Sequence, residues 1–181
     1  LLLGLAVTVA GAILVNLTTN ITFLADEWEL LMRRTGWAPD RFLEPFHEHM
    51  IMAPTLIYKI LIGVFGLGSA RPEQLLAIAT FLLVGVLVFV YVRRRTGDWV
   101  ALIIAALILF LGAAFEDLVW AFQIGFFGSL AAGIGALIAL DRDDHKGDLI
   151  AAGLLVVAMS FSSIGIPFVA GAVAEWAINP R

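Results

Sequence analysis

The chain has 181 residues, of which 61% are hydrophobic and only 14% are charged, and its mean hydropathy is +0.99. A water-soluble domain of this size needs far more polar surface, so the composition excludes one and points to lipid as the solvent. The formal net charge of −4 argues against a nucleic-acid partner, and the absence of cysteine excludes disulfides and thiolate metal sites.

A bilayer core of about 30 Å needs about 20 apolar residues in helical form. Residues 1–19 form the first candidate span. The core of a signal peptide is the competing reading, but no small-residue cleavage signal precedes Asp26 and further spans follow. Residues 24–74 read as a long extracytoplasmic loop with interfacial helices. Within it, residues 54–68 are apolar but too short for a span and contain Lys59, which favours an interfacial helix. Residues 75–92 form a second span, stopped by Arg93, Arg94 and Arg95. Residues 99–115 and 122–140 follow, the latter stopped by a charged run at 141–146. The last apolar stretch, 149–174, is broken by Ser, Gly and Pro over 160–167, which predicts two short paired helices.

The expected fold is therefore an all-α integral membrane protein with about six transmembrane helices, forming a single transmembrane domain over residues 1–181. The opening Leu1-Leu2-Leu3 and the abrupt end at Arg181 read as a fragment of a longer protein. Parity puts the Arg93–Arg94–Arg95 cluster on the same side as Arg142 and Lys146, and the positive-inside rule makes that side cytoplasmic. Arg181 joins them if the last stretch is a hairpin. The 24–74 loop, the turn at 116–121 and the 162–167 turn then lie outside.

Three outward-facing groups could carry chemistry. The first is Asp26 with Glu27, just after the first span. A partly buried carboxylate there could act as a general base toward a hydroxyl; the alternative is an acidic first turn of an interfacial helix. The second is the cluster of Glu44, His47, Glu48 and His49, in a loop that also carries Arg33, Arg34, Arg41, Lys59 and Arg71. A divalent metal is conceivable there, although His-x-His spacing is weak support for one. Charge-assisted binding of a phosphate oxygen is another use for these groups, and a solvated loop is a third. The third group is Glu116, Asp117, Trp120 and Gln123. On a continuous helix, Glu116, Trp120 and Gln123 would share one face, and acids beside a span need partners or a wet cavity. Trp120 could equally be an interface anchor, as Trp28, Trp37, Trp99 and Trp176 near span ends suggest. The glycines 125, 128, 133 and 135 read as sites of close helix packing.

With these residues in order, the chain resembles the GT-C superfamily of membrane glycosyltransferases, which includes protein O-mannosyltransferases and lipid A aminoarabinose transferases. The likeness rests on a first span, the immediate Asp26-Glu27 pair, a long outside loop and short paired spans after it. The resemblance implies sugar transfer from a polyprenyl-phosphate donor to a glycan, lipid or protein acceptor on the extracytoplasmic face of the cell (plasma or inner) membrane. It implies that Asp26, with Glu27 second, is the catalytic acid–base group. Arg33, Arg34, His47, Glu48, His49, Lys59, Glu116, Asp117 and Gln123 are the pool for substrate binding. The chain departs from the pattern in two places. The 162–165 turn has no lysine, and no unique second outside acid is present. The rival reading is a non-enzymatic multi-pass protein, such as a transporter or flippase component or an envelope assembly subunit.

Overall fold

The computed structural model describes residues 1–178, so Arg181 lies outside the described residues. Their architecture is all-helical: α1 (Leu2–Leu17), α2 (Asp26–Arg33), α3 (Asp40–Leu43), α4 (Met52–Phe65), α5 (Arg71–Thr96), α6 (Asp98–Leu109), α7 (Phe115–Val119), α8 (Ile124–Leu140), α9 (His145–Phe161) and α10 (Gly165–Ile178). Short 3-10 turns, Gly112–Ala114 and Ala121–Gln123, flank α7.

Among the described residues, three helical stretches are long and apolar enough to cross a membrane: Arg71–Thr96, Asp98–Val119 and Ala121–Leu140. Helices α1, α4 and α10 are apolar but shorter. Helix α5 opens with Pro72 in its first turn, where the missing N–H costs nothing, and stops at Gly97 with φ +96°. The third expected span is not one uninterrupted helix. Helix α6 ends at Leu109, the Gly112 N–H turns back to the Phe110 carbonyl at 2.8 Å, and α7 restarts at Phe115. Glu116 and Asp117 fall in the first turn of α7, where the helix dipole favours acids.

Helix α8 lies between α5 on one side and α9 and α10 on the other. Its small residues set the spacing. A Cβ at Gly128 would stand 2.3 Å from the Phe161 ring, and one at Gly133 would stand 2.3 Å from the Phe168 ring. Both glycines therefore serve close packing, each against a different helix.

The two ends of the bundle differ in chemistry. At one, Arg94 and Arg95 both reach Asp141, at 3.2 and 2.7 Å, and Arg93 pairs with Asp98 at 2.5 Å. Asp144 caps α9 by accepting from the Gly147 N–H at 2.6 Å. The arginine cluster and the 141–146 turn thus share an end, as the span parity requires. At the other end Arg71 donates to Thr18 Oγ1 and the Val15 carbonyl at 2.9 and 3.0 Å, closing the C-terminus of α1. The Gln74 amide donates to the Ile21 carbonyl at 2.7 Å. All the candidate site residues sit at this second end or in the loop beside it.

Candidate functional site

The entry to α2 decides the fate of the acidic pair. Ala25 adopts φ +34°, which turns the chain sharply after Phe23 and Leu24. Trp28 Nε1 donates to the Phe23 carbonyl at 2.9 Å, and Glu27 Oε2 accepts from the Leu24 N–H at 2.8 Å. Consecutive helical residues point about 100° apart, so Asp26 and Glu27 cannot face the same surroundings. Glu27 turns into the core. It is 1% exposed and accepts from the Tyr58 hydroxyl at 2.5 Å. Burial raises its pKa above the ordinary carboxylate value, against the lowering effect of its two hydrogen bonds. Asp26 stays half-buried and lines an open cleft.

That cleft, of about 360 Å³, is also lined by Phe46, His47, Glu48, His49, Trp120, Phe122, Gln123 and Phe126. A tight turn builds one wall. The Phe46 N–H donates to the His49 carbonyl and the His49 N–H to the Phe46 carbonyl, both at 2.9 Å, with His47 at φ +51°. Phe46 anchors the turn against Phe122, ring centroids 5.2 Å apart. His49 points toward the 162–167 turn, its Nδ1 sharing a hydrogen bond of 2.5 Å with Ser163 Oγ, and its ring meets the edge of Phe126. With Nδ1 engaged, Nε2 is the ring nitrogen left for a ligand.

The opposite wall comes from the turn between α7 and α8. Trp120 is extended there, with φ −91° and ψ 111°, so Glu116, Trp120 and Gln123 do not share one helical face. Gln123 is buried and its Nε2 donates to Asp117 at 2.7 Å. Glu116 is exposed and outside the cleft lining.

The cations of the loop sit elsewhere. A second opening, of about 190 Å³, is lined by Glu29, Arg33, Arg34, Glu44, Pro45, Phe46 and His47. Arg33 pairs with Glu29 at 2.7 Å on an exposed face. Arg34 is buried and donates to the Arg41 and Glu44 carbonyls at 3.0 and 2.7 Å, with its pKa lowered by burial. Lys59 donates to the Arg34 and Gly36 carbonyls, just past the end of α2, and lies over the rings of Trp37 and Phe42. Burial first, then the neighbouring Arg41 and Arg34, lower its pKa. Arg34 and Lys59 are thus engaged by backbone carbonyls. His47 lines both openings.

The structure therefore brings Asp26, His47, Glu48, His49 and Gln123 to one cleft, with Asp117 behind Gln123. It places Glu27 in the core and Arg33, Arg34 and Lys59 outside the cleft. Among the described residues no three His, Asp or Glu side chains converge as a metal site. Sequence reasoning missed Tyr58, Ser163 and Glu73. A tyrosine within an apolar helix is a signal for a buried partner, and an acid in the first turn of a span is another. Nothing in the sequence pairs His49 with Ser163. Compared with known protein families, characterised proteins and solved structures, the chain shows no significant match.

Proposed function

We propose that this is a multi-pass membrane glycosyltransferase that moves a sugar from a polyprenyl-phosphate carrier to an acceptor hydroxyl on the extracytoplasmic side, with Asp26 as the general base. The observation that supports it is the meeting of Asp26 with His47, Glu48 and His49 in one open cleft, from segments that the sequence separates by some twenty residues. Asp26 takes the proton of the acceptor hydroxyl, whose oxygen attacks the anomeric carbon. The bond from that carbon to the phosphate oxygen breaks, and the lipid phosphate leaves with the electron pair. Fixed donors stabilise the charge that develops on it. That His47 lines both the Asp26 cleft and the opening beside Arg33 supports this role for it. Glu27, bonded to Tyr58 in the core, holds α2 in place rather than meeting substrate. The test is transfer of radiolabel from polyprenyl-phosphate sugars by the full-length protein in membranes. Label in a water-soluble or lipid acceptor supports the reading, and no transfer from any such donor contradicts it.

A transporter or flippase component is the second reading, and one observation favours it. Glu73, in the first turn of α5, is 1% exposed, and neither carboxylate oxygen has a hydrogen-bond partner among the described residues. Acids buried in spanning helices often mark ion or proton paths. Loss of ion-coupled uptake in Glu73→Gln, with sugar transfer absent in the wild type, would favour this reading.

A further inference from the structure

The wall of the Asp26 cleft that comes from the α7–α8 turn holds two polar atoms that the protein leaves unmatched. Among the described residues, Trp120 Nε1 is a buried donor without a partner, and Gln123 Oε1 is a buried acceptor without one. Gln123 is only 5% exposed, and its other amide atom is fixed by Asp117. A buried amide whose nitrogen is held this way cannot turn its oxygen to solvent. Unmatched groups of this kind are uncommon and call for a partner from outside the chain. Around them the cleft is aromatic: Trp120 stacks on Phe122 with centroids 5.6 Å apart, and Phe46 packs on the same Phe122 at 5.2 Å. Flat apolar rings combined with one fixed acceptor and one indole donor suit a ligand that is apolar on its faces and hydroxylated on its edges. They do not suit a bare anion, because this wall offers an indole N–H and an amide oxygen rather than a cluster of cations.

We propose that this wall is a subsite for the pyranose ring of a neutral sugar, with Gln123 Oε1 accepting from a ring hydroxyl and Trp120 Nε1 donating to a ring oxygen substituent. This rests on the glycosyltransferase reading and adds the ligand class and the residues that recognise it. Both atoms are covered in this conformation, so the sugar meets them only after a rotation of the Trp120 side chain. Occupancy therefore changes the surroundings of the indole.

The experiment uses the full chain in lipid nanodiscs free of sugar detergents. Tryptophan fluorescence and saturation-transfer NMR are followed during titration with methyl α-D-mannopyranoside, methyl α-D-glucopyranoside and, separately, inorganic phosphate. At least one methyl glycoside should give a saturable change in both signals, and phosphate should give none that depends on Trp120 or Gln123. Gln123→Met should weaken that glycoside about tenfold, the effect of losing one good hydrogen bond. Trp120→Phe should remove the fluorescence change and weaken binding by NMR. Asp26→Asn should still bind the glycoside. Binding of neither glycoside, or equal affinity in the wild type and both wall variants, would overturn the subsite. If the glycosides fail to bind while Asp26→Asn loses transfer, only the subsite falls. If they bind as described while Asp26→Asn transfers normally, only the base falls.

Discussion

The hydroxyl of Tyr58 donates to the carboxylate of Glu27 at 2.5 Å, joining two side chains 31 positions apart that are each 1% exposed. This bond ties α4 to α2, and α2 carries Asp26 to the cleft. Tyr58→Phe leaves a buried carboxylate with the Leu24 N–H as its remaining partner, so it should cost about 1–3 kcal/mol of stability. Thermal unfolding of the detergent-solubilised protein checks this, and an unchanged midpoint would show that the bond does not hold α2.

The same carboxylate makes stability depend on pH. Burial raises the pKa of Glu27 in the folded protein above its ordinary value near 4.5. The folded state therefore holds the proton more tightly than the unfolded chain does. Its contribution is fully present below about pH 4.5 and is lost as pH rises through the raised folded value. Glu27→Gln mimics the protonated form, since its oxygen can accept from Leu24 and its amide can donate to Tyr58. The variant should keep the fold and lose this part of the pH dependence. Unfolding midpoints measured from pH 4 to 8 for both proteins test it, and parallel curves would contradict it.

His47 holds a left-handed backbone conformation in a two-residue turn that presents three polar side chains. Such a conformation costs a residue with a Cβ about 1–2 kcal/mol, a cost that glycine avoids. Glycine in turn has more freedom to lose on folding. His47→Gly should thus be as stable as the wild type or more so, while sugar transfer falls. Unfolding midpoint and transfer rate, read on the same preparation, separate the two effects. A stable variant with full transfer would remove His47 from the chemistry.

Packing around α8 gives an independent test of the bundle. A methyl group at Gly128 would collide with the Phe161 ring. Gly128→Ala should destabilise by about 1–3 kcal/mol, the usual cost of overpacking. Gly63→Ala, where among the described residues a Cβ meets nothing within 4 Å, serves as the control.

Much of this arrangement is legible in the sequence, and the reason is periodicity and length. Long apolar runs ending in Arg93, Arg94 and Arg95, or in the 141–146 charges, mark α5 and α8 without any knowledge of contacts. The common end of the two basic groups follows from counting spans, and the Arg94–Asp141 and Arg95–Asp141 pairs agree with it. What stays hidden depends on tertiary contacts. Asp26 and Glu27 are chemically alike neighbours, and which of them turns inward is decided by Tyr58, far along the chain. Lys59 and Arg34 look like free cations in sequence, but nearby backbone carbonyls engage them. The break after Leu109 lies inside a uniformly apolar run, where hydropathy has no contrast to offer. His49 finds Ser163 across 114 positions, a separation over which no local pattern speaks.

In the proposed reaction the Asp26 carboxylate, and not its buried neighbour, removes the proton from the acceptor. Asp26→Asn keeps the size and polarity of the side chain and deletes the base. In full-length protein inserted in membranes at the wild-type level, the rate of radiolabelled sugar transfer should fall by about 10²–10⁴-fold, the range for loss of a general base. Transfer at the wild-type rate would contradict the account.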